Sequence, residues 1–314
     1  MFTRVNVAVF VFFLYSHSIM NMRIALIGLG EVGRCYAAPL HAAAFTLSAC
    51  EIRMTAAAAA LAKNLHLVVH EKPGNWLAEV DWVLSCVTGD VALPVVQDLM
   101  PFMKKGARFA DLTTASPESK RQAERTAHAH GVSYVDTAIM GGISLTGVRT
   151  PLLAAGKAAS ELKEIIERAG GRLQVIPDGV VGDAISLKIL RSVLTKGMEA
   201  LSVELLMSAE KQGVREKLYA QLSDIDQIPL RSFIDSMVRT HVIHAKRRMH
   251  EVQDAQRELT SLGLRSTVLP GVEERFHKTT ESLATHPLQA AEPSVEQALD
   301  WLLSTHANSP PLAA

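Results

Sequence analysis

Three glycines in a fixed pattern follow a short apolar run, Ile24–Ile27, early in the chain. Gly28, Gly30 and Gly33 form G-x-G-x-x-G between that run and a helical stretch, the context in which this pattern binds a dinucleotide. The first glycine permits a tight turn, the second lets a pyrophosphate approach the backbone, and the third lets the helix pack on the strand. A glycine-rich turn without a ligand is the alternative. The predicted cofactor contacts are Gly28, Leu29, Gly30, Glu31, Val32 and Gly33.

An acidic residue, Glu51, stands near the end of the second predicted strand. A carboxylate there accepts hydrogen bonds from the adenosine ribose hydroxyls and repels a 2′-phosphate, which favours NAD. Arg53 favours NADP instead, because a guanidinium group two residues after Glu51 can pair with the 2′-phosphate. We therefore expect NAD or NADP, with NAD slightly favoured. A solvated strand-end carboxylate is the alternative for Glu51.

Four polar side chains recur at helical spacing further along the chain. Lys188, Arg191, Ser192 and Thr195 stand at i, i+3, i+4 and i+7, so they share one face of a predicted helix. We expect this helix to be largely covered, because it links two predicted domains. A buried ammonium or guanidinium group without a partner is costly, so these charges imply an anionic substrate or a carboxylate partner. Ordinary surface polarity is the alternative. The apolar face of the helix is Leu187, Leu190, Leu194, Met198, Leu201 and Leu205.

These polar residues allow proton transfer during the oxidation of an alcohol. Lys188, with its pKa lowered by burial and by Arg191, can take the hydroxyl proton or return it in the reverse reduction. Arg191 can clamp an anionic group, and Ser192 can hydrogen-bond the substrate hydroxyl. The predicted ligand is therefore a small anionic molecule.

The charge balance restricts the class of protein. Lys plus Arg equals Asp plus Glu at 32 each, which removes the electrostatic argument for nucleic-acid or membrane-surface binding. Three cysteines without C-x-x-C spacing favour a reducing compartment, and we expect a cytoplasmic protein. His241, His244 and His250 lie on one predicted helix, and His241 and His244 are spaced to share a metal, but no carboxylate or further histidine completes the site, so no metal is predicted. A substrate or phosphate contact and a solvated basic face stay open for them.

The order of predicted elements indicates the fold class. Eight short apolar strands, from Arg23–Gly28 to Arg172–Ile176, alternate with helical stretches. This predicts βαβ units around a Rossmann-type, doubly wound, mainly parallel sheet over residues 22–182. No strand is predicted afterwards, so residues 183–305 form an all-α domain entered through one long helix, Asp183 to about Lys211. Residues 1–21 are expected to be an extension outside the fold, and 306–314 a flexible tail.

Further motifs occur in the order found in one enzyme family. Asp111–Pro117 is similar to D-x-S-T-x-x-P, Asp136–Gly142 to D-A-P-V-S-G-G, Gly147–Gly156 to G-x-L-x-x-x-x-G, and Gly182–Lys188 to G-x-x-x-x-x-K. With the glycine loop, these segments resemble the β-hydroxyacid dehydrogenase superfamily, which includes 3-hydroxyisobutyrate and 6-phosphogluconate dehydrogenases. The subgroup that the chain resembles is phosphogluconate-dehydrogenase-like with a divergent C-terminal domain.

The resemblance implies roles for particular residues. Lys188 corresponds to the catalytic lysine, the backbone of Gly141 and Gly142 binds the substrate carboxylate, and Thr114 lies near the nicotinamide. Val87 and Thr88 are further expected cofactor contacts. The chain departs from the family where Met140 replaces a serine, and where Arg191 and Ser192 stand in place of an asparagine. The substrates of better-known members therefore do not transfer.

The resulting prediction is an NAD(P)-dependent oxidoreductase acting on a small 3-hydroxyacid-type alcohol or carbonyl. A reductase of imines or semialdehydes is an alternative, although imine-reducing relatives usually lack the lysine. A non-catalytic dinucleotide-binding sensor is the other. Family members commonly dimerise through the helical domain, so we expect a homodimer or a multiple of it.

Overall fold

The computed structural model describes residues 22–306. Its strands are β1 (Arg23–Ile27), β2 (Thr46–Cys50), β3 (Val68–His70), β4 (Trp82–Ser85), β5 (Arg108–Asp111), β6 (Ser133–Ile139), β7 (Pro151–Ala155) and β8 (Arg172–Val175). Its α-helices are α1 (Glu31–Ala42), α2 (Ala56–Asn64), α3 (Ala92–Leu99), α4 (Pro117–Ala129), α5 (Ile143–Thr146), α6 (Ala159–Arg168), α7 (Asp183–Lys211), α8 (Arg215–Gln221), α9 (Leu230–Ser261), α10 (Leu269–Thr285) and α11 (Val295–His306). Short 3₁₀ turns occur at Asn75–Glu79, Met100–Phe102, Gly147–Arg149 and Ile225–Gln227.

The strands form one sheet in the order β3-β2-β1-β4-β5-β6-β7-β8. All neighbouring pairs are parallel except β6 and β7, which are antiparallel. The order reverses at β1, which lies between β2 and β4. In such sheets ligands bind beyond the carboxyl ends of the strands at this reversal. The predicted fold class, a Rossmann-type sheet followed by helices, is confirmed.

The central strands are buried on both faces. Along β1, Ile24 and Leu26 belong to one apolar cluster, whereas Ala25 and Ile27 belong to another. Successive side chains of a strand point to opposite faces, so a continuous apolar run supplies both clusters. Burial on both faces holds the ends of the strands in position, and the loops that follow them start from these positions.

Two helices of the sheet region begin at recognisable capping residues. The Ser116 hydroxyl accepts the Ser119 N–H before α4, and Pro117 occupies the first turn. The Thr55 hydroxyl accepts the Ala58 N–H before α2. Both side chains satisfy a first-turn N–H that has no partner within the helix.

The chain divides into two compact units, with the boundary between Val193 and Leu194 inside α7. The first unit contains the sheet, and the described part of the second unit is helical. The long helix predicted from Asp183 to about Lys211 is found with those bounds. Our prediction for residues 1–21 lies outside the described residues, and so does the predicted tail over 306–314 except for His306, which ends α11. None of the helices described is long and apolar enough to cross a membrane.

The expected covering of α7 is wrong for its apolar face. The exposed fractions there are Leu187 46%, Leu190 65%, Leu194 36%, Met198 51%, Leu201 41% and Leu205 43%. Helical spacing shows which side chains share a face, but it carries no information about what lies against that face. A continuous apolar stripe of this kind indicates an interaction surface.

Candidate functional site

The glycine loop has the local geometry that the pattern predicts. Gly28 follows β1 with φ +91°, a left-handed conformation that favours glycine. A Cβ on Gly28 would lie 3.2 Å from the Cys86 carbonyl and from Val87, which follow β4. A Cβ on Gly33 would lie 2.0 Å from the Gly28 carbonyl oxygen, so only glycine permits this approach of helix and strand. Both glycines are required by close backbone contacts.

The start of α1 fits an anionic group. Gly30 is the N-cap residue and offers no side-chain hydrogen bond, so the first-turn N–H groups are left for a ligand. A Cβ on Gly30 would meet nothing within 4 Å, so the space in front of it is open. The Leu29 side chain is buried, Val32 is half-buried and Glu31 is exposed. The loop therefore presents backbone N–H groups to a pyrophosphate.

Glu51 fastens this loop to the end of β2. Its carboxylate accepts the Leu29 N–H at 2.6 Å and the Arg53 N–H at 2.9 Å. The Leu29 carbonyl in turn accepts from the Arg34 guanidinium at 3.0 Å. Sequence reasoning did not anticipate Arg34, which follows Gly33 directly. The Arg53 side chain is exposed. The carboxylate thus stands beside the loop, as ribose binding requires.

The loops after β4 and β5 lie against each other at the same edge of the sheet. Val87 is half-buried, whereas Thr88 and Thr114 are exposed. A Cβ on Gly89 would lie 2.9 Å from the Ala115 nitrogen and from the Thr114 carbonyl carbon. A hydrogen bond with the Thr88 hydroxyl lowers the pKa of exposed Asp90. All three expected contact residues therefore lie at the carboxyl edge of the sheet.

Gly141 and Gly142 follow β6, and both are exposed. In the sheet order β1-β4-β5-β6, the two ends of this edge are three strand spacings apart, about 14 Å. The glycine loop and Gly141–Gly142 therefore lie along the same edge of the sheet, where the loop would hold the pyrophosphate of a dinucleotide.

A buried ion pair lies beneath this edge. Lys120 of α4 is completely buried, and its Nζ donates to the Asp136 carboxylate at 2.8 Å and to the Asp111 carbonyl at 3.0 Å. The Asp111 carboxylate accepts the Thr113 N–H and the Tyr134 hydroxyl. Burial, followed by the effect of Asp111, raises the pKa of Tyr134 well above its usual value. Every charge in this cluster has a partner, as burial demands.

Asp136 also determines where α7 begins. Its second carboxylate oxygen accepts the N–H groups of Gly182 and Ile185, each at 3.1 Å. A carboxylate from β6 thus caps the first turn of α7 and complements the helix dipole. The Lys120–Asp136 pair therefore anchors the helix segment on which Lys188 lies one turn later.

Lys188 is half-buried, and its pKa is lowered from the ordinary lysine value. Burial is the larger cause and the charge of Lys120 is the second. We predicted Arg191 as the charged neighbour, and this was wrong. The pKa of Lys188 responds to Lys120 because Asp136 joins the start of α7 to the Lys120 cluster. Among residues 22–306, Lys188 forms no ion pair.

Arg191 and Ser192 have partners of their own. The exposed Arg191 donates to the Met140 carbonyl at 2.5 Å, directly before Gly141, and so connects α7 to the predicted substrate loop. The Ser192 hydroxyl donates to the Lys188 carbonyl at 2.9 Å, which leaves only its lone pairs for a ligand. Arg191, Met140 and Leu187 line a cleft of about 610 Å³ that continues along β7 and β8.

Sequence reasoning missed Lys120. A signal for it was present, because Asp111 and Asp136 end or interrupt apolar strands of a sheet that helices cover. A buried carboxylate needs a cation or hydrogen-bond donors. No spacing rule connects Lys120 with Asp136, since they meet only through packing of α4 on β6. No group of three His, Cys, Asp or Glu side chains suited to a metal occurs in the described part of the chain.

Two protein-family models match the chain. Residues 23–177 match the NAD binding domain of 6-phosphogluconate dehydrogenase. Residues 209–279 match a domain of unknown function, DUF1932. The first match covers the sheet with its glycine loop, and the second lies within the helical unit.

Curated relatives agree with the first match. An uncharacterized 28.5 kDa protein of Methanothermus fervidus is 26% identical over 260 residues, which are 83% of this chain and 100% of that protein. A probable 3-hydroxyisobutyrate dehydrogenase of Mycobacterium tuberculosis is 25% identical over 195 residues, 61% of this chain and 65% of that protein. About a third of that dehydrogenase therefore has no counterpart in the alignment.

Solved structures show the same fold over nearly the whole chain. A conserved hypothetical protein of Sinorhizobium meliloti is 28% identical with a TM-score of 0.56, covering 90% of this chain and 96% of its own. A protein described as structurally similar to 3-hydroxyacid dehydrogenases is 25% identical with a TM-score of 0.58, covering 83% and 97%. An imine reductase of Myxococcus stipitatus, solved with NAD⁺, shares 17% identity and the fold, with a TM-score of 0.71 and coverage of 90% and 99%. These matches confirm the resemblance predicted from the motifs: residues 23–177 form an NAD-binding domain of the 6-phosphogluconate dehydrogenase type, and most of the chain is similar to a protein described as resembling 3-hydroxyacid dehydrogenases.

Proposed function

We propose that the protein is an NAD-dependent dehydrogenase of a small anionic 3-hydroxyacid-type alcohol, or a reductase of the corresponding carbonyl. The observation that carries the proposal is Lys188, a half-buried lysine with a lowered pKa on a helix anchored to the carboxyl edge of the sheet. The residues at that edge fit a dinucleotide. Free thiols at Cys35, Cys50 and Cys86 support a cytoplasmic location.

When the cofactor is bound, its nicotinamide accepts or supplies the hydride. The chain must then move one proton. In oxidation, the neutral Lys188 amine takes the hydroxyl proton of the substrate, and in reduction the ammonium returns it. Burial and Lys120 both disfavour the charged form, so the neutral amine is available at lower pH than for an ordinary lysine.

The substrate anion is held by groups that the fold has already placed. The exposed backbone of Gly141 and Gly142 offers N–H donors. A guanidinium group has five N–H donors, and Arg191 has hydrogen-bonded one NH group to Met140, so others remain for a carboxylate or phosphate. Ser192, whose proton is committed to Lys188, acts as an acceptor.

NAD is the proposed cofactor because of Glu51. Its carboxylate is held beside the loop by the Leu29 and Arg53 N–H groups, where it disfavours a 2′-phosphate. The exposed Arg53 side chain is the competing feature, since it can pair with that phosphate.

We also propose that the protein forms a homodimer through the apolar stripe of α7. Six apolar side chains from Leu187 to Leu205 are 36–65% exposed, which is unusual for a contiguous surface of a monomer. A light-scattering mass of two chains at micromolar concentration is expected, and a monomer mass contradicts this proposal.

The function is tested with full-length protein against panels of 3-hydroxyacids with NAD⁺ and of semialdehydes and imines with NADH. Lys188→Ala should lower kcat by about 10²–10⁴, the range for losing a general acid or base, and leave the cofactor Kd unchanged. Lys196→Ala on the same helix is the matched control, because Lys196 is exposed and pairs with Glu199.

Three outcomes contradict the proposal in distinguishable ways. Cofactor binding without turnover of any substrate indicates a sensor. Turnover of imines alone indicates the alternative reductase. Full activity of Lys188→Ala on an identified hydroxyacid removes the lysine from the mechanism.

A further inference from the structure

A second cleft, of about 440 Å³, lies between α9 and α10 in the helical unit. Its walls are Phe233, Ser236, Met237, Thr240, His241, Arg248 and Phe276. A smaller hollow of about 270 Å³ shares Met237 and His241 with it and reaches Arg275. The larger volume alone is within the range of sites that hold a small organic molecule.

Arg248 lines this cleft and Arg275 lines the adjoining hollow, and neither guanidinium group has an acidic partner among residues 22–306. Arg248 donates one hydrogen bond to the Thr240 hydroxyl at 2.9 Å, and Arg275 donates one to the Thr279 hydroxyl at 3.2 Å. Each guanidinium has five N–H donors, so most of them are left for a ligand. The two threonines are neutral and do not balance the charge.

Three other arginines on α9 have an acidic partner, whereas a fourth, Arg239, donates to the Pro293 carbonyl at 3.1 Å. Arg231 pairs with Asp235, Arg247 with Glu251 and Arg257 with Asp254. Arg247 and Arg248 are adjacent in the chain, yet only the one away from the cleft has a carboxylate. The positive charge therefore stays unbalanced at the cleft itself.

His241 shows that both charges act on the cleft. Its Nε2 lies 2.8 Å from the buried Thr279 hydroxyl, and its ring packs on Phe276 at 4.8 Å between centroids. Burial, then Arg275 and Arg248, lower its pKa to about 4. His241 is therefore neutral near pH 7 and adds a polar, uncharged wall between two cations.

We propose that this cleft binds a small organic oxyanion, a carboxylate or phosphate on an apolar body. Arg248 and Arg275 bind the oxyanion, and Phe233, Met237 and Phe276 contact the apolar part. Hydrogen bonds between a guanidinium group and an oxyanion are stronger than those between neutral groups. The proposal goes beyond the oxidoreductase function, since neither Lys188 nor the glycine loop takes part.

Calorimetry on the full chain tests it with benzoate, phenyl phosphate and inorganic phosphate. We expect one aromatic anion to bind more tightly than inorganic phosphate, and the two aromatic probes distinguish a carboxylate from a phosphate ligand. Arg248→Met should weaken binding about tenfold or more. Arg247→Met, which removes the same charge one residue away, should leave the Kd unchanged. In NMR spectra, the resonances of the His241 ring should shift on titration with the anion.

Arg275→Met, at an exposed position, gives a second variant in case Arg248→Met unfolds the helical unit. Lys188→Ala should bind the aromatic anion like the parent chain, which separates this site from the proposed active site. Absence of binding at millimolar anion overturns the proposal. If Arg247→Met weakens anion binding as much as Arg248→Met does, the proposal is also overturned, because the loss then reflects the net charge of the helix and not a specific site.

Discussion

Lys120 and Lys188 belong to the same unit, but the chain balances their charges in opposite ways. Lys120 is completely buried and contacts the Asp136 carboxylate and two backbone carbonyls. Lys188 is half-buried and forms no ion pair in the described residues, and its pKa is lowered. A charge that the chain itself neutralises holds elements together. A half-buried charge without a partner is a candidate for binding a ligand or for proton transfer.

The same difference occurs in the helical unit between two adjacent arginines. Arg247 pairs with Glu251, whereas Arg248 faces a cleft without an acid. In both units, the presence or absence of an oppositely charged partner distinguishes structural charged residues from candidate functional ones. Residue type and helical spacing distinguish them less clearly.

The largest effect on stability is expected from Lys120. Lys120→Met leaves the Asp136 and Asp111 carboxylates buried without their cation, so the free energy of unfolding should fall by about 3–5 kcal/mol. Lys188→Met should change it by less than about 1 kcal/mol, since no carboxylate loses a partner. Urea denaturation measures both. Similar losses in the two variants contradict the distinction.

The double variant Lys120→Met/Asp136→Asn keeps this test informative if the single variant does not fold. Removing both charges should recover part of the lost stability, because Asp136 no longer leaves an uncompensated buried carboxylate and only Asp111 does. An additive loss means that the pair itself contributes no coupling energy.

The pH profile of the oxidation sharpens the comparison. Oxidation needs the neutral Lys188 amine, so kcat should fall as the pH drops below the lowered pKa of Lys188. Removing the Lys120 charge takes away one cause of that lowering. In the Lys120→Met variant the acid limb of the kcat profile should therefore move to higher pH. If the acid limb does not move, a group other than Lys188 determines it.

A smaller effect is expected at Glu51, the proposed ribose-binding residue, whose carboxylate accepts hydrogen bonds from two backbone N–H groups. Glu51→Ala should weaken NAD binding about tenfold and improve the relative use of NADP, since a repulsive carboxylate is removed. Glu164→Ala is the matched control, because Glu164 is an exposed glutamate on α6 outside the predicted cofactor contacts. If the parent chain already prefers NADP by tenfold or more, Arg53 is the selector.

The sequence alone predicted the sheet, the glycine loop and the long helix correctly. These depend on local chemistry, because an apolar run forms a covered strand, G-x-G-x-x-G permits one kind of turn, and helical periodicity persists from Asp183 to Lys211. Each motif segment that indicated the family is likewise a short, continuous stretch of the chain.

Only the tertiary structure determined which charged side chains have an oppositely charged partner. Lys120 and Asp136 are 16 residues apart, and Asp136 and Ile185 are 49 apart, so their contacts exist only after α4 and α7 pack on the sheet. The same packing made Lys120, and not Arg191, the charged neighbour of Lys188. Desolvation and Coulomb interactions depend on distance in space, which residue spacing does not encode across separate elements.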